Sequence, residues 1–361
     1  MNLLYKPDWE ETKERYITWW SHGYFGRCAI GVTAPKDLPS PTLPPTEPRT
    51  PEEKWYDLEW ISAWNDYQMS HTFYGGEAFP IWHAGYPGNA AIPTILGCPL
   101  RLDMETGWWD PILTEPNILD VSSLKLDESH PDYRFTMTLL RRAAQEARGR
   151  SIPSTGAFGG GGDTLAALRG SVQLLFDCIE RPEAVYQAEM ALMEMWCRHY
   201  DTRYAITHES AGGSAGWYEL WSPGKFYASH NDFSYNISPG MFRDLFLPAI
   251  EMQTRFLDHS VYHVDGIGAF VHVDALCELT HLQAIQILPG AGKPSPLNYL
   301  DILKKVQRAG KNLDITIPPD EVQTALELLS ARGLFIHTWC ETETLARQLL
   351  KNVETWSVDR G

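Results

Sequence analysis

SVYHVDG (260–266), LQAIQILPG (282–290), KNLDITI (311–317) and GLFIHTWC (333–340) are four short, mostly apolar runs. Each is followed by a stretch of helical periodicity: 271–280, 298–309, 319–332 and 341–354. Runs that are apolar almost throughout read as strands buried on both faces, as in a parallel sheet covered by helices. The rhythm extends upstream. SIPSTGAF (151–158) is strand-like and ends in GGGGD (159–163), before helical stretches at 164–177 and 182–206. SAGGSAGWYELW (210–221) reads as a strand and loop, and Pro239 suits the first turn of a helix over 239–258. At this number of units, a closed (β/α)8 TIM-type barrel is expected, with its active site at the C-terminal ends of the strands. A doubly wound open sheet is the alternative.

The first third is less regular. A helix is expected over 1–24, a strand at FGRCAIGVTAP (25–35), an extended Pro-rich loop over 36–52, a helix over 53–74 and a strand at FPIWHAG (79–85). Residues 85–118 are rich in Gly, Pro and Trp, and 131–150 is a strong amphipathic helix. No linker or repeat divides the chain. One domain over 1–361 is expected, with N-terminal helices, first strands and long loops over 1–130 and regular βα units over 131–355.

The chain has 361 residues, 43% hydrophobic and 21% charged, with a formal net charge of −16. That field repels phosphate backbones, so nucleic acid is not an expected partner. No run approaches the roughly 18 apolar residues of a membrane span, and the charged start MNLLYKPDWEETKERY does not resemble a signal peptide. The six cysteines form no CxxC pair, which suggests reduced thiols and a cytoplasmic setting. Nine of the 14 Trp precede residue 110. Such a surplus serves packing, or the stacking of sugars, macrocycles and cations.

Several segments resemble the uroporphyrinogen decarboxylase superfamily, which includes methylcorrinoid:thiol methyltransferases and cobalamin-independent methionine synthase. They are DTLAALRGSVQLLFDCIERPEAV (163–185), NDFSYNISPGMFRDLFLPAI (231–250), YHVDG (262–266) and GLFIHTWC (333–340). The resemblance covers roughly residues 130–355 and implies a (β/α)8 barrel. The Arg-rich N-terminal motif of the decarboxylases is not evident, which disfavours that reaction. The methyltransferases carry an H-x-C metal motif where this chain has His263-x-Asp265, and a further Cys ligand where it has Cys340.

Five groups of residues could carry chemistry. Residues i and i+2 of a strand share a face, so His263 and Asp265, with Cys340 at another strand end, could hold a catalytic Zn2+ with an open position. Such a metal would bind and deprotonate a thiol substrate. Alternatively, Asp265 binds substrate while His263 and Cys340 are merely packed. In HTWCETE, His337 alternates with Trp339 and could face the interior, and Glu341 sits nearest the rim. Glu343 reads as the start of a helix. Glu219 and Asp232 lie among Trp217, Tyr218, Trp221, Tyr227 and Phe233, as two carboxylates and stacking platforms would in a glycosidase. Gly160 and Gly161, in a glycine run between strand and helix, could approach a ligand or cradle an anion. Finally, Glu77, His83 and Tyr86 surround the second strand, near the place of a catalytic Asp in the decarboxylases.

The expected function is a metal-dependent methyltransferase. Its methyl group would come from a corrinoid supplied by a partner protein, or from another activated donor, and pass to a thiol or similar acceptor. The metal would be Zn2+ on His263, Asp265 and Cys340. Asp232 and Glu219 would be catalytic, and Trp217, Tyr218, Trp221, Gly160, Gly161, His337 and Glu341 would bind the small-molecule substrate. A carbohydrate-active hydrolase or lyase using Glu219 and Asp232 is the first alternative. A non-catalytic binder of a flat or cationic ligand is the second.

Overall fold

The computed structural model describes residues 3–38, 40–84, 91–114, 120–121 and 123–361. Helices are α1 (Trp9–Trp20), α2 (Pro51–Tyr56), α3 (Leu58–His71), α4 (Pro131–Ala147), α5 (Gly161–Arg169), α6 (Ser171–Glu180), α7 (Pro182–Ala211), α8 (Leu247–Phe256), α9 (Val273–Glu278), α10 (Leu300–Arg308), α11 (Val322–Leu328) and α12 (Glu343–Trp356). Strands are β1 (Ala29–Pro35), β2 (Thr72–Gly76), β3 (Ile81–Trp82), β4 (Ile152–Pro153), β5 (Ser214–Ala215), β6 (Trp221–Ser222), β7 (Phe226–His230), β8 (His259–Asp265), β9 (Ala284–Leu288), β10 (Asn312–Thr316) and β11 (Leu334–Trp339). Among the described residues no helix is long and apolar enough to cross a membrane.

The central sheet has seven strands in the order β2-β1-β11-β10-β9-β8-β7. Every neighbouring pair is parallel except β1–β2. The parallel, helix-covered sheet read from the four C-terminal runs is therefore present. The single closed sheet is not. β3 and β4 pair with each other over two residues, and β4 continues to β5 only through a bridge between Ser154 and Ala215. The chemistry of this region limits its ladder. Pro80 and Pro153 have no N–H to donate, and glycines crowd the chain on both sides of β5.

Alternation along the strands sorts the side chains into two layers. Ile30, Val32 and Ala34 of β1, Tyr262 and Val264 of β8, Ile285 and Ile287 of β9, Leu313 and Ile315 of β10 and Ile336 of β11 join the larger core beneath the helices. The opposite parity contributes Ala29, Phe226, Ala228, Val261, Ala284 and Phe335 to a second cluster, completed by Trp9, Tyr16, Trp19 and Trp20 of α1. Those four α1 side chains fall on one face of the helix. Trp19 meets Phe335 with ring centroids 5.3 Å apart, and Trp20 meets Phe226 at 5.5 Å. At about 1.5–3 kcal/mol for each large apolar side chain buried, this face accounts for the docking of α1. Part of the Trp surplus is thus core.

Glu77 fastens the same region. It is fully buried and accepts from Arg15 Nε at 2.6 Å, from both terminal nitrogens of Arg27 at 2.7 Å, and from the Ile30 N–H at 2.7 Å. Burial raises its pKa, but the two guanidinium groups and the backbone donor outweigh that and hold it below the ordinary carboxylate value. Glu77 is therefore a buried structural anchor, not a catalytic acid. Tyr86 of the same expected group lies outside the described residues.

Candidate active site

Register places a row of polar side chains across four adjacent strands. His230 of β7 pairs with His263 of β8, His263 with Gln286 of β9, and Gln286 with Asp314 of β10. His337 of β11 stands opposite Thr316, two residues beyond Asp314 and on the same face. These positions share the parity of the inner cluster and lie toward the C-terminal ends of the strands.

Hydrogen bonds link the row. His263 Nδ1 meets Gln286 Oε1, and Gln286 Nε2 donates to the hydroxyl of Tyr218, which enters from the loop between β5 and β6. Tyr218 donates to Asp314 Oδ1 at 2.7 Å, and His337 Nε2 lies 3.1 Å from Asp314 Oδ2. Asp314 is fully buried, so its charge is sustained by those two partners. Burial lowers the pKa of His337, but attraction to Asp314, their hydrogen bond and nearby Glu219 outweigh it, and the net shift is upward. Burial drives the Tyr218 hydroxyl well above its ordinary value, and the charge of Asp314 adds to this. Tyr218 therefore stays a donor.

The row borders two cavities, and Glu219 and Trp339 join one of them to a third. One, of about 810 Å3, is bordered by β1, α3, β2, His83, Glu219 and Trp339. A second, of about 530 Å3, is bordered by Tyr218, Glu219, Thr316, Pro318, His337 and Trp339. Glu219 and Trp339 border both. The third, of about 340 Å3, is bordered by Trp109, Asp163, Trp217, His230, Asp232 and His263. There Asp163 accepts the backbone N–H groups of Asp232 at 2.9 Å and Phe233 at 2.8 Å, and lies 3.7 Å from His230 Nε2. Burial pushes the Asp163 carboxyl up, with Asp232 acting in the same direction, to about 6 against the pull of His230.

The structure gathers some of the expected residues and separates others. Tyr218, Glu219 and His337 share one cavity; Trp217, Asp232 and His263 share another. Glu219 and Asp232 border no common cavity among those described, so the paired carboxylates of a glycosidase are not assembled. Trp221 is not a stacking platform: it is 1% exposed in the α1 cluster, with its indole N–H on the Ala211 carbonyl. Gly160 and Gly161 border none of these cavities. Their positive φ values, +141° and +55°, turn the chain into α5, and a Cβ on Gly161 would meet the His230 carbonyl at 3.0 Å. The glycines thus serve close backbone packing rather than an open anion cradle. Glu341 is exposed in the turn after β11, outside these cavities.

The zinc ligand set does not fit. His263 Nε2 and Asp265 Oδ2 lie 4.0 Å apart at the end of β8. Cys340 follows Trp339 by one residue, and so takes the parity of Ile336 and Thr338. It is 3% exposed in the helix-side core, where burial raises the thiol pKa and opposes the thiolate that a metal needs. Among the described residues, no three His, Cys, Asp or Glu side chains are grouped to hold a metal ion.

Asp314, Gln286 and His230 were not singled out from sequence, whereas Asp163 was, with the glycine run before it. Asp314 and Gln286 had a usable signal: each is a polar residue flanked on both sides by apolar ones inside a strand, where burial demands partners.

No protein-family model matches the chain, and no curated protein matches it in sequence. A solved structure, a methyltransferase from Methanosarcina mazei, is similar in fold with a TM-score of 0.63 at 10% identity, over 95% of this chain and 98% of that one.

Proposed function

We propose that this chain is a methyltransferase that moves a methyl group from an activated donor to a thiol or similar acceptor. The donor of first choice is a corrinoid carried by a separate protein. The observation that carries the reading is the Asp314–His337 pair at the wall of the 530 Å3 cavity, in a fold shared end to end with a methyltransferase. The accompanying fold reading is a (β/α)8 barrel whose arc between β7 and β1 is made by the short ladders of β3, β4 and β5. Fold alone does not fix function, so the chemistry is argued from the residues.

Methyl transfer to sulfur needs an anionic nucleophile aimed along the axis of the bond that breaks. Asp314 fixes the orientation of His337 and favours its imidazolium form. An imidazolium beside an acceptor thiol favours the thiolate, the reactive form. Tyr218, held by Asp314 and Gln286, offers a rigid polar edge. Glu219 stands at the junction of the two larger cavities, where it can orient the methyl-bearing partner. No step is routed through a metal, because the expected ligands are not gathered.

The test is methyl transfer to small thiols from methylcobalamin and from methylated cations, with the S-methyl product read by mass spectrometry. Wild type is expected to form product, and His337→Gln to be slower by about 10²-fold, the usual scale for loss of a positioned proton-handling group. No product from wild type with any of these donors would overturn the reading.

A further inference from the structure

The geometry points to the 810 Å3 cavity as a site for a methylated ammonium group, an alternative to the corrinoid as methyl donor of the reaction proposed above; the inference rests on that reading. Three features of the cavity carry this.

The first is its wall. Trp55 of α2, Trp60, Trp64 and Tyr67 of α3, Tyr74 of β2 and Trp339 of β11 all border it. Trp60, Trp64 and Tyr67 recur at helical spacing and form a ladder, with ring centroids 5.6 and 5.9 Å apart at interplanar angles of 9° and 30°. Trp339 is 56% exposed. Aromatic faces attract cations, and quaternary ammonium groups are held by such rings.

The second feature is Glu219. Its carboxylate is exposed to the cavity and makes no hydrogen bond or ion pair among the described residues. By contrast, Glu77 is held by two arginines, Asp314 by Tyr218 and His337, and Asp163 by two backbone N–H groups. A carboxylate without a hydrogen-bonded partner, at the edge of an aromatic chamber, complements a cation held chiefly by ring faces.

The third is that the chamber already holds one ammonium in this manner. Lys54 Nζ lies 4.5 Å from the centroid of Trp55 and donates to the Met104 carbonyl at 2.5 Å. His83 also borders the chamber; desolvation lowers its pKa, against the opposing pull of Glu219.

The arrangement is complementary across the junction. The aromatic chamber and Glu219 take the cation, while His337 and Tyr218 in the adjoining cavity take the thiolate. In the transfer a C–N bond breaks and its electron pair stays on nitrogen, leaving a neutral tertiary amine. A C–S bond forms at the same carbon, so the thiolate becomes a thioether. No oxidant or reductant is needed.

The experiment is calorimetric titration with choline and with 3,3-dimethylbutan-1-ol, its uncharged isostere, on wild type, Glu219→Gln and Trp64→Leu. Wild type is expected to bind choline at least tenfold tighter than the isostere. Glu219→Gln, an exposed position whose unfolding midpoint should match wild type, is expected to lose most of that preference. Trp64→Leu is expected to weaken choline more than the isostere. Equal binding of the two probes, tighter binding of the isostere, or no saturable choline binding by wild type would overturn the proposal. Turnover is not involved. Choline preference without any S-methyl product would overturn the methyl-transfer reading alone, and product from another donor without choline preference would overturn only this one.

Discussion

Asn in place of Asp314 is a demanding test of the site. The wild-type carboxylate is fully buried and accepts from Tyr218 at 2.7 Å and from His337 at 3.1 Å. Asp314→Asn keeps the shape and removes the charge. Two charge-assisted hydrogen bonds become neutral ones, a loss of roughly 1–1.5 kcal/mol each, so the variant should be less stable by about 2–3 kcal/mol near pH 6. The gap should depend on pH. His337 has a folded-state pKa above its unfolded value, so its stabilising contribution is complete below about pH 6.5 and is lost as pH rises through the folded pKa. In the variant, burial, which lowers the His337 pKa, is opposed only by nearby Glu219. Urea unfolding of both proteins between pH 5.5 and 9, with histidine ring titration followed by NMR, checks both points. A stability gap that does not shrink with rising pH, or a His337 titration untouched by Asp314→Asn, would refute the argument.

Two further outcomes are expected. Glu77→Gln breaks a buried ion pair and leaves two guanidinium groups under-compensated, at about 3–5 kcal/mol in urea unfolding; because the folded pKa of Glu77 is depressed, its stabilisation in wild type is present above about pH 4.3 and lost as pH falls through the folded pKa. Cys340→Ala should leave the metal content of the purified protein unchanged, as measured by elemental mass spectrometry; loss of a bound ion in that variant would place the thiol on a metal after all.

The parallel, helix-covered sheet was legible because β8 to β11 are short runs with apolar residues at their centres and each precedes a helix. Its broken arc was not, because a strand such as 79–85 is a pattern, whereas a ladder needs donors that Pro80 and Pro153 lack. At the site, His263 and His337 were legible from alternation within HVD and HTW. Cys340 was misplaced by a single residue: strand parity is strict, and one step past Trp339 turns the side chain from the cavity to the helices. Trp221 shows a different limit. Proximity in sequence to Glu219 suggested a shared role, yet the intervening Leu220 and the short β6 carry Trp221 into the buried packing around α1. Asp314 and Gln286 declared themselves only once register aligned them, since hydrogen bonding between strands is invisible along the chain.

The docking of α1 bears on how the protein is made. Trp19 donates to the Gly333 carbonyl and receives the Asn312 amide on its own carbonyl, across 314 and 293 residues of sequence. The helix leaves the ribosome well before this part of its binding surface, which is synthesised about 300 residues later. At about 5–20 residues per second, the wait is roughly 15–60 s. During that interval an amphipathic helix bearing Trp9, Tyr16, Trp19 and Trp20 has no native surface to cover it. The nascent chain therefore presents a sticky helix that chaperones can meet before its docking surface exists.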